Sequence, residues 1–201
     1  MRHQRRFPSA APFARLLASL RALSRAREGL AAVEFAFIAP IMILLFFGVV
    51  EGSAAYSANR KVLLSANTLA DLVAQETSIT KDNLDDLFVG MEDIIDSRDI
   101  NVKFTVTSVY LDAATNEVKV HWSRNSDSVA PYPANSVFTD GIDPTLLDDA
   151  SSLIVAESEF DYASTLSQKV IGAITMAKMA TRWPRLSAKV QFCITVGNCT
   201  T

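Results

Sequence analysis

The sequence predicts an α+β fold: a long N-terminal helix, transmembrane in its first half, packed on a small, mainly antiparallel sheet domain with short helices. Three observations lead there. Leu30 to Val50 is apolar except for Glu34, and its 21 residues match the roughly 20 that a helix needs to cross a hydrocarbon layer. Apolar residues then recur at a spacing near 3.6, as on one face of a helix. Further on, runs of alternating Val, Phe and Ile bounded by turn residues read as strands.

Charge divides the chain. Residues 1–29 hold seven arginines (Arg2, Arg5, Arg6, Arg15, Arg21, Arg25, Arg27) against Glu28, whereas residues 30–201 hold 12 Lys and Arg against 21 Asp and Glu. Basic residues before a span and acidic ones after it orient the chain with its N-terminus in the cytoplasm and its body outside, periplasmic or extracellular. The expected organisation is a basic cytoplasmic leader over 1–29, a transmembrane helix over 30–52, its extracytoplasmic continuation over 53–78 and an α+β domain over 79–201. A cleaved secretory signal fits less well. The apolar stretch is too long, and no small-residue cleavage site follows it, since Glu51-Gly52-Ser53-Ala54-Ala55-Tyr56 continues a helical pattern. Nucleic-acid binding is set aside, because the arginines are scattered among Ala, Leu and Ser beside a membrane span.

In the continuation, Tyr56, Val62, Leu63, Ala66, Leu69, Ala70 and Val73 fall near one stripe, with Arg60, Lys61, Asp71 and Gln75 mostly elsewhere. One helix from about Leu30 to Glu76 is expected. A short amphipathic helix follows, with Ser78 or Thr80 as its cap and an apolar face of Leu84, Leu87, Phe88, Met91, Ile94 and Ile95. The acids Asp82, Asp85, Asp86, Glu92, Asp93 and Asp96 match no calcium loop and read as its solvated face. Strands are expected over Val102–Leu111, Val118–Trp122 and Leu153–Tyr162, the first two joined by a hairpin loop at Ala113-Ala114-Thr115-Asn116. Pro131, Pro133, Gly141 and Pro144 break a loop. Ser164–Met179 has helical spacing through Leu166, Val170, Ile174 and Met176, interrupted by Trp183-Pro184-Arg185. A last strand covers Ala188–Val196.

A carboxylate deep in a span costs on the order of 2.5 to 3.5 kcal/mol, so an acid there usually has a partner or a function. Glu34 lies four residues inside. Its surroundings, Gly29-Leu30-Ala31-Ala32-Val33-Glu34-Phe35, resemble the processing site of type IV pilin-like proteins. The longer stretch "GLAAVEFAFIAPIMILLFFGVVEG" resembles the TadE-like pseudopilin family of tight-adherence pilus systems in its Ala-Val-Glu-Phe-Ala core and in Pro40. The resemblance covers about residues 25–75. It implies a pilin-like fold, cleavage between Gly29 and Leu30 by a prepilin peptidase, and an assembly role for Glu34, Phe35 and Pro40. In that picture the glutamate meets the N-terminus of a neighbouring subunit. The implied partners are the prepilin peptidase, other pilins or pseudopilins, the inner-membrane assembly platform and the lipid bilayer. The implied place is the cytoplasmic (inner) membrane.

Pro40 removes a main-chain donor and crowds the carbonyl of Ala36, which predicts a kink. Gly48 and Gly52 have the spacing that lets helices approach closely. Cys193 and Cys199 flank Val196-Gly197-Asn198, so a local disulfide closing a hairpin is the favoured reading, with free or partner-linked thiols as alternatives. His3 and His121 are too distant to make these cysteines a metal site. No serine-nucleophile elbow, phosphate loop, zinc-protease helix or Cys-x-x-Cys is present, and no cofactor is expected. His121 beside Trp122 reads as a strand residue. The resulting expectation is a structural pseudopilin and not an enzyme. The alternatives are an unprocessed single-pass envelope protein that binds or scaffolds a secretion or pilus apparatus, and a membrane-tethered hydrolase with an unrecognised site.

Overall fold

The computed structural model describes residues 28–95, 102–147, 150–163 and 172–199. The arginine-rich leader up to Arg27, with its His3, and the acid Asp96 lie outside them. Contacts divide the chain into two units, Met1–Val50 and Glu51–Thr201.

Helix α1, Glu28–Ala74, is one uninterrupted element of 47 residues that runs through Pro40 without a break. At 1.5 Å per residue it is roughly 70 Å long. In the first unit its large apolar side chains are exposed, including Phe35 and Phe37. The helix Gly29–Ala74 is long and apolar enough to cross a membrane. Within the second unit the character of α1 changes. Val62, Ser65, Ala66, Leu69, Ala70, Val73 and Ala74 are buried at spacings of three and four, which is one helical face. The stripe expected from the sequence is therefore present, but two of its members do not belong: Tyr56 is 64% exposed and Leu63 43%. Tyr56 precedes the first buried position, and Leu63 is about 100° around the helix from Val62. Asn67 and Thr68 donate side-chain hydrogen bonds back to Leu63 O and Leu64 O, one turn earlier.

The end of α1 is closed from far along the chain. Gln75 N and Glu76 N donate to Leu72 O and Val73 O in a tightened last turn. Arg185 N donates to Ala74 O at 2.8 Å, and the Arg185 guanidinium pairs with Asp71. The Trp-Pro-Arg interruption thus caps this helix, supplying a donor to a carbonyl that has no intrahelical partner.

β1, Ser78–Thr80, was not expected; it pairs in parallel with β6, Gln191–Thr195, setting Ile79 opposite Phe192. Three residues carry no alternation long enough to read. Helix α2, Lys81–Ile95, begins where Thr80 Oγ1 accepts from Asn83 N at 3.3 Å, a side-chain cap. Leu84, Phe88, Met91 and Ile95 are its buried face, whereas Ile94 is 53% exposed. The acidic face is not wholly solvated either. Asp85 accepts from Arg124 Nε at 3.2 Å and Nη2 at 3.3 Å, tying α2 to the sheet.

The main sheet has the order β3-β2-β4-β5, all antiparallel: β2 Val102–Asp112, β3 Glu117–Asn125, β4 Ser152–Tyr162 and β5 Ile174–Arg182. The β2–β3 hairpin turns at residues 113–116, with Asn116 at φ 54. β5 corrects the sequence reading. Ile174–Met179 was expected to end a helix, but it is the start of a nine-residue strand paired with β4 from Tyr162↔Ile174 to Ile154↔Arg182. The edge that β4 offers satisfies a full row of main-chain groups, and that gain outweighs a weak helical pattern. Gly172, at φ 92, precedes it. The rest of the expected helix, residues 164–171, lies outside the described residues.

Two cores occupy the two faces of this sheet. On one, Phe104, Val106, Trp122, Ile154, Ala156 and Phe160 meet the buried faces of α1 and α2. Ser158 Oγ donates to Val62 O at 2.8 Å across that seam. On the other, Val109, Val118, Val120, Leu153 and Val155 are covered by Phe138 and Leu147 from the connection between β3 and β4. That connection is more than a loop. It bonds along the outer edge of β3 through Val120 N to Ser136 O, Asn135 N to Val120 O and Phe138 N to Val118 O.

Candidate functional site

The residues singled out for processing and assembly all lie at the head of α1. Gly29 is its second residue, and a Cβ there would meet nothing within 4 Å. Leu30 and Glu34, four apart on one helix, share a face and are one turn, about 6 Å of rise, from each other. Glu34 is exposed, and so are Phe35 and Pro40. A single carboxylate therefore stands on a helix whose neighbouring surface is Leu30, Val33, Phe37, Ile38 and Ile41, all more than half exposed. Gly48 and Gly52 are likewise open, with nothing within 4 Å of a hypothetical Cβ.

Cys193 and Cys199 lie opposite each other in the β6–β7 hairpin, β7 being Asn198–Cys199, and are joined as a disulfide. The turn between them uses Gly197 at φ 88, a conformation that side chains rarely adopt. This hairpin is attached to β1 through β6 and to the sheet through Trp122, whose ring lies 5.4 Å from that of Phe192.

One further site was not legible in the sequence. On the face of the sheet covered by the β3–β4 connection lies a cleft of about 410 Å³, lined by Lys103, Thr105, Glu157, Glu159 and Lys178 with Tyr132 at its side. The Tyr132 hydroxyl lies 2.8 Å from Asp140 Oδ2 and 3.4 Å from Glu157 Oε2, so one phenol stands between two carboxylates. Burial, and then the charge of Asp140, raise the pKa of Glu157. Burial and the same two carboxylates raise that of Tyr132. The only sequence signal was strand alternation placing Glu157 and Glu159 on one side; the contact with Tyr132 joins residues 25 apart. Among the described residues no group of His, Cys, Asp and Glu could hold a metal ion. His121 is half-buried, and burial together with nearby Lys189 lowers its pKa, so the imidazole is neutral at physiological pH.

Near the head of α1 the geometry thus presents one acid, Glu34, on an exposed apolar helical surface. Comparison with known proteins bears on this segment and no other. No curated protein and no solved structure matches the chain. The family model described as TadE-like protein matches residues 29–75, from the glycine at the head of α1 to the residue after its last turn, so this segment carries the TadE-like signature.

Proposed function

We propose that the protein is a minor pseudopilin, an assembly component of a tight-adherence type IV pilus, held in the cytoplasmic membrane by the first part of α1 with its N-terminus inside. The observation that carries this reading is the position of Glu34, one helical turn beyond Leu30 in a segment that matches the TadE-like family. A prepilin peptidase cutting after Gly29 turns the Leu30 amide into an ammonium. Two unit charges 4 Å apart attract by about 4 kcal/mol at an effective dielectric of 20. That is comparable with the roughly 2.5 to 3.5 kcal/mol that either unpaired charge costs within a span, so pairing relieves both. An acid that is a liability in the precursor becomes a contact when it meets the new amine of a sister subunit. Phe35 and the Pro40 region then shape the helix surface on which that contact forms, and the extracytoplasmic domain travels with the helix as a structural unit, not as an enzyme.

Intact-mass measurement of protein extracted from membranes of cells with an active prepilin peptidase tests the first step. A chain beginning at Leu30 supports it. Retention of residues 1–29 removes the amine on which the mechanism depends and leaves an unprocessed membrane-anchored scaffold. For the second step, Glu34→Ala is expected to insert into membranes as well as the parent while pilus assembly falls; unchanged assembly counts against the pairing.

A further inference from the structure

Polar atoms gather at one end of the main sheet, where main-chain pairing leaves them without partners. Between β2 and β3 the register passes from Ser108↔Trp122 to Val109↔Val120, so His121 is the extra residue of a bulge. Ser108 and Tyr110, two apart on β2, face the same side. Ser152 lies opposite Tyr110 and Ile154 opposite Ser108, which makes Ser152 the diagonal neighbour of Ser108 on that face. The His121 ring stands edge-on to Tyr110 with centroids 6.4 Å apart. From the β5–β6 connection Lys189 sets its ammonium 4.9 Å from the Tyr110 ring centroid.

Ser108 and Ser152 are both completely buried. Their Oγ atoms and Nδ1 of His121 are buried without a hydrogen-bond partner. The main chain around them is satisfied: Ser152 N donates to Ala188 O at 2.9 Å, and Trp122 Nε1 donates to Val190 O at 2.8 Å. These two bonds clamp the 188–190 strap across the strand ends. The side-chain groups beneath it remain, and the large majority of such groups in folded proteins are satisfied by protein or by ordered water.

We propose that Ser108, Ser152 and His121 form a binding site for internal water beneath the 188–190 strap. The chemistry of the three atoms is complementary to it. Each hydroxyl can donate once and accept, and neutral imidazole with its proton on Nε2 accepts at Nδ1, while water supplies two donors and two acceptors. Trp122 and Ile154, the register partners of Ser108, and Val190, whose carbonyl accepts from the Trp122 indole, are all buried, so a bridging group there must be enclosed and small, as water is. Such water would link β2, β3 and β4 through side chains where the bulge disturbs their ladder, and so fix the surface on which the strap rests.

The test is a double-substitution cycle on the full chain in detergent: Ser108→Ala, Ser152→Ala and both together, read as thermal unfolding midpoints. A shared water predicts that each single change lowers the midpoint by roughly 3 to 6 °C, because the remaining hydroxyl loses its partner. The double variant should then lose little more than the worse single one. Midpoints that hold or rise, or losses that simply add, overturn the proposal. If a variant fails to fold, a crystal structure of the parent at about 1.5 Å decides. Ordered density within about 3.2 Å of two or more of the three atoms upholds the site, and its absence overturns it.

Discussion

At the residue scale, Glu157 is the side chain whose ionisation most directly reports on the fold of the β3–β4 connection. Burial and the nearby charge of Asp140 hold its pKa above the ordinary value of 4.5. The folded protein therefore keeps a proton that the unfolded chain has already released. Its contribution to stability therefore falls as the pH rises from about 4.5 through the higher folded value, and that penalty is complete above it. Glu157→Gln is expected to flatten this dependence and to be at least as stable as the parent at neutral pH, measured as denaturant midpoints from pH 4 to pH 8. An unchanged slope would show that other groups set it. Asp85 makes a different prediction. Its two oxygens meet Arg124 across 39 residues, and Arg124 is mostly shielded from solvent and also faces the Phe192 ring at 5.7 Å. Asp85→Ala leaves that guanidinium short of its carboxylate, so a loss of about 1 to 2 kcal/mol is expected from chemical denaturation. A partly exposed pair of no consequence would give nothing measurable.

At the scale of elements, α1 does two jobs with one continuous backbone. Its first part is apolar and exposed apart from the carboxylate of Glu34, while its second part has a single buried face. Leu69, fully buried in the core that α1 and α2 share with the sheet, is the position to test. Leu69→Ala is expected to destabilise by about 2 to 5 kcal/mol through lost transfer energy and the cavity left behind. Leu64→Ala, five residues earlier and exposed, should cost less than about 1 kcal/mol. Equal effects at the two positions would mean that α1 does not dock on the sheet by the face described. The head of α2 offers a smaller contrast: Thr80→Ala removes the oxygen that accepts from Asn83 N and is expected to cost about 0.5 to 2 kcal/mol.

At the scale of the whole molecule, the second unit is held together by contacts between distant parts of the chain. The β6–β7 hairpin is linked to the segment after α1 through β1, to β3 through Trp122 and to itself through Cys193–Cys199. The disulfide closes a separation of six residues, so on chain-entropy grounds its contribution is about 2 kcal/mol. Reduction with dithiothreitol is expected to lower the thermal midpoint by roughly 5 °C without abolishing the transition. A midpoint that does not move would show the hairpin to be secured without the disulfide, by its pairing with β1 and its packing against Trp122.

Several features were legible because they depend on local pattern. The apolar length of Leu30 to Val50, the 3.6-residue spacing of Val62, Ala66, Leu69 and Val73, the alternation of Val102, Phe104 and Val106 and the acid after Gly29 all express physics that acts over a turn or a few residues. The tertiary structure alone decided the state of Ile174–Arg182, the parallel pairing of β1 with β6, the burial of Phe138 and Leu147, and the meeting of Tyr132 with Glu157. In each of these the deciding partner is far away in the chain. A strand edge, a sheet face or a buried carboxylate gains its partner only after the chain has closed, and no window of sequence carries that energy.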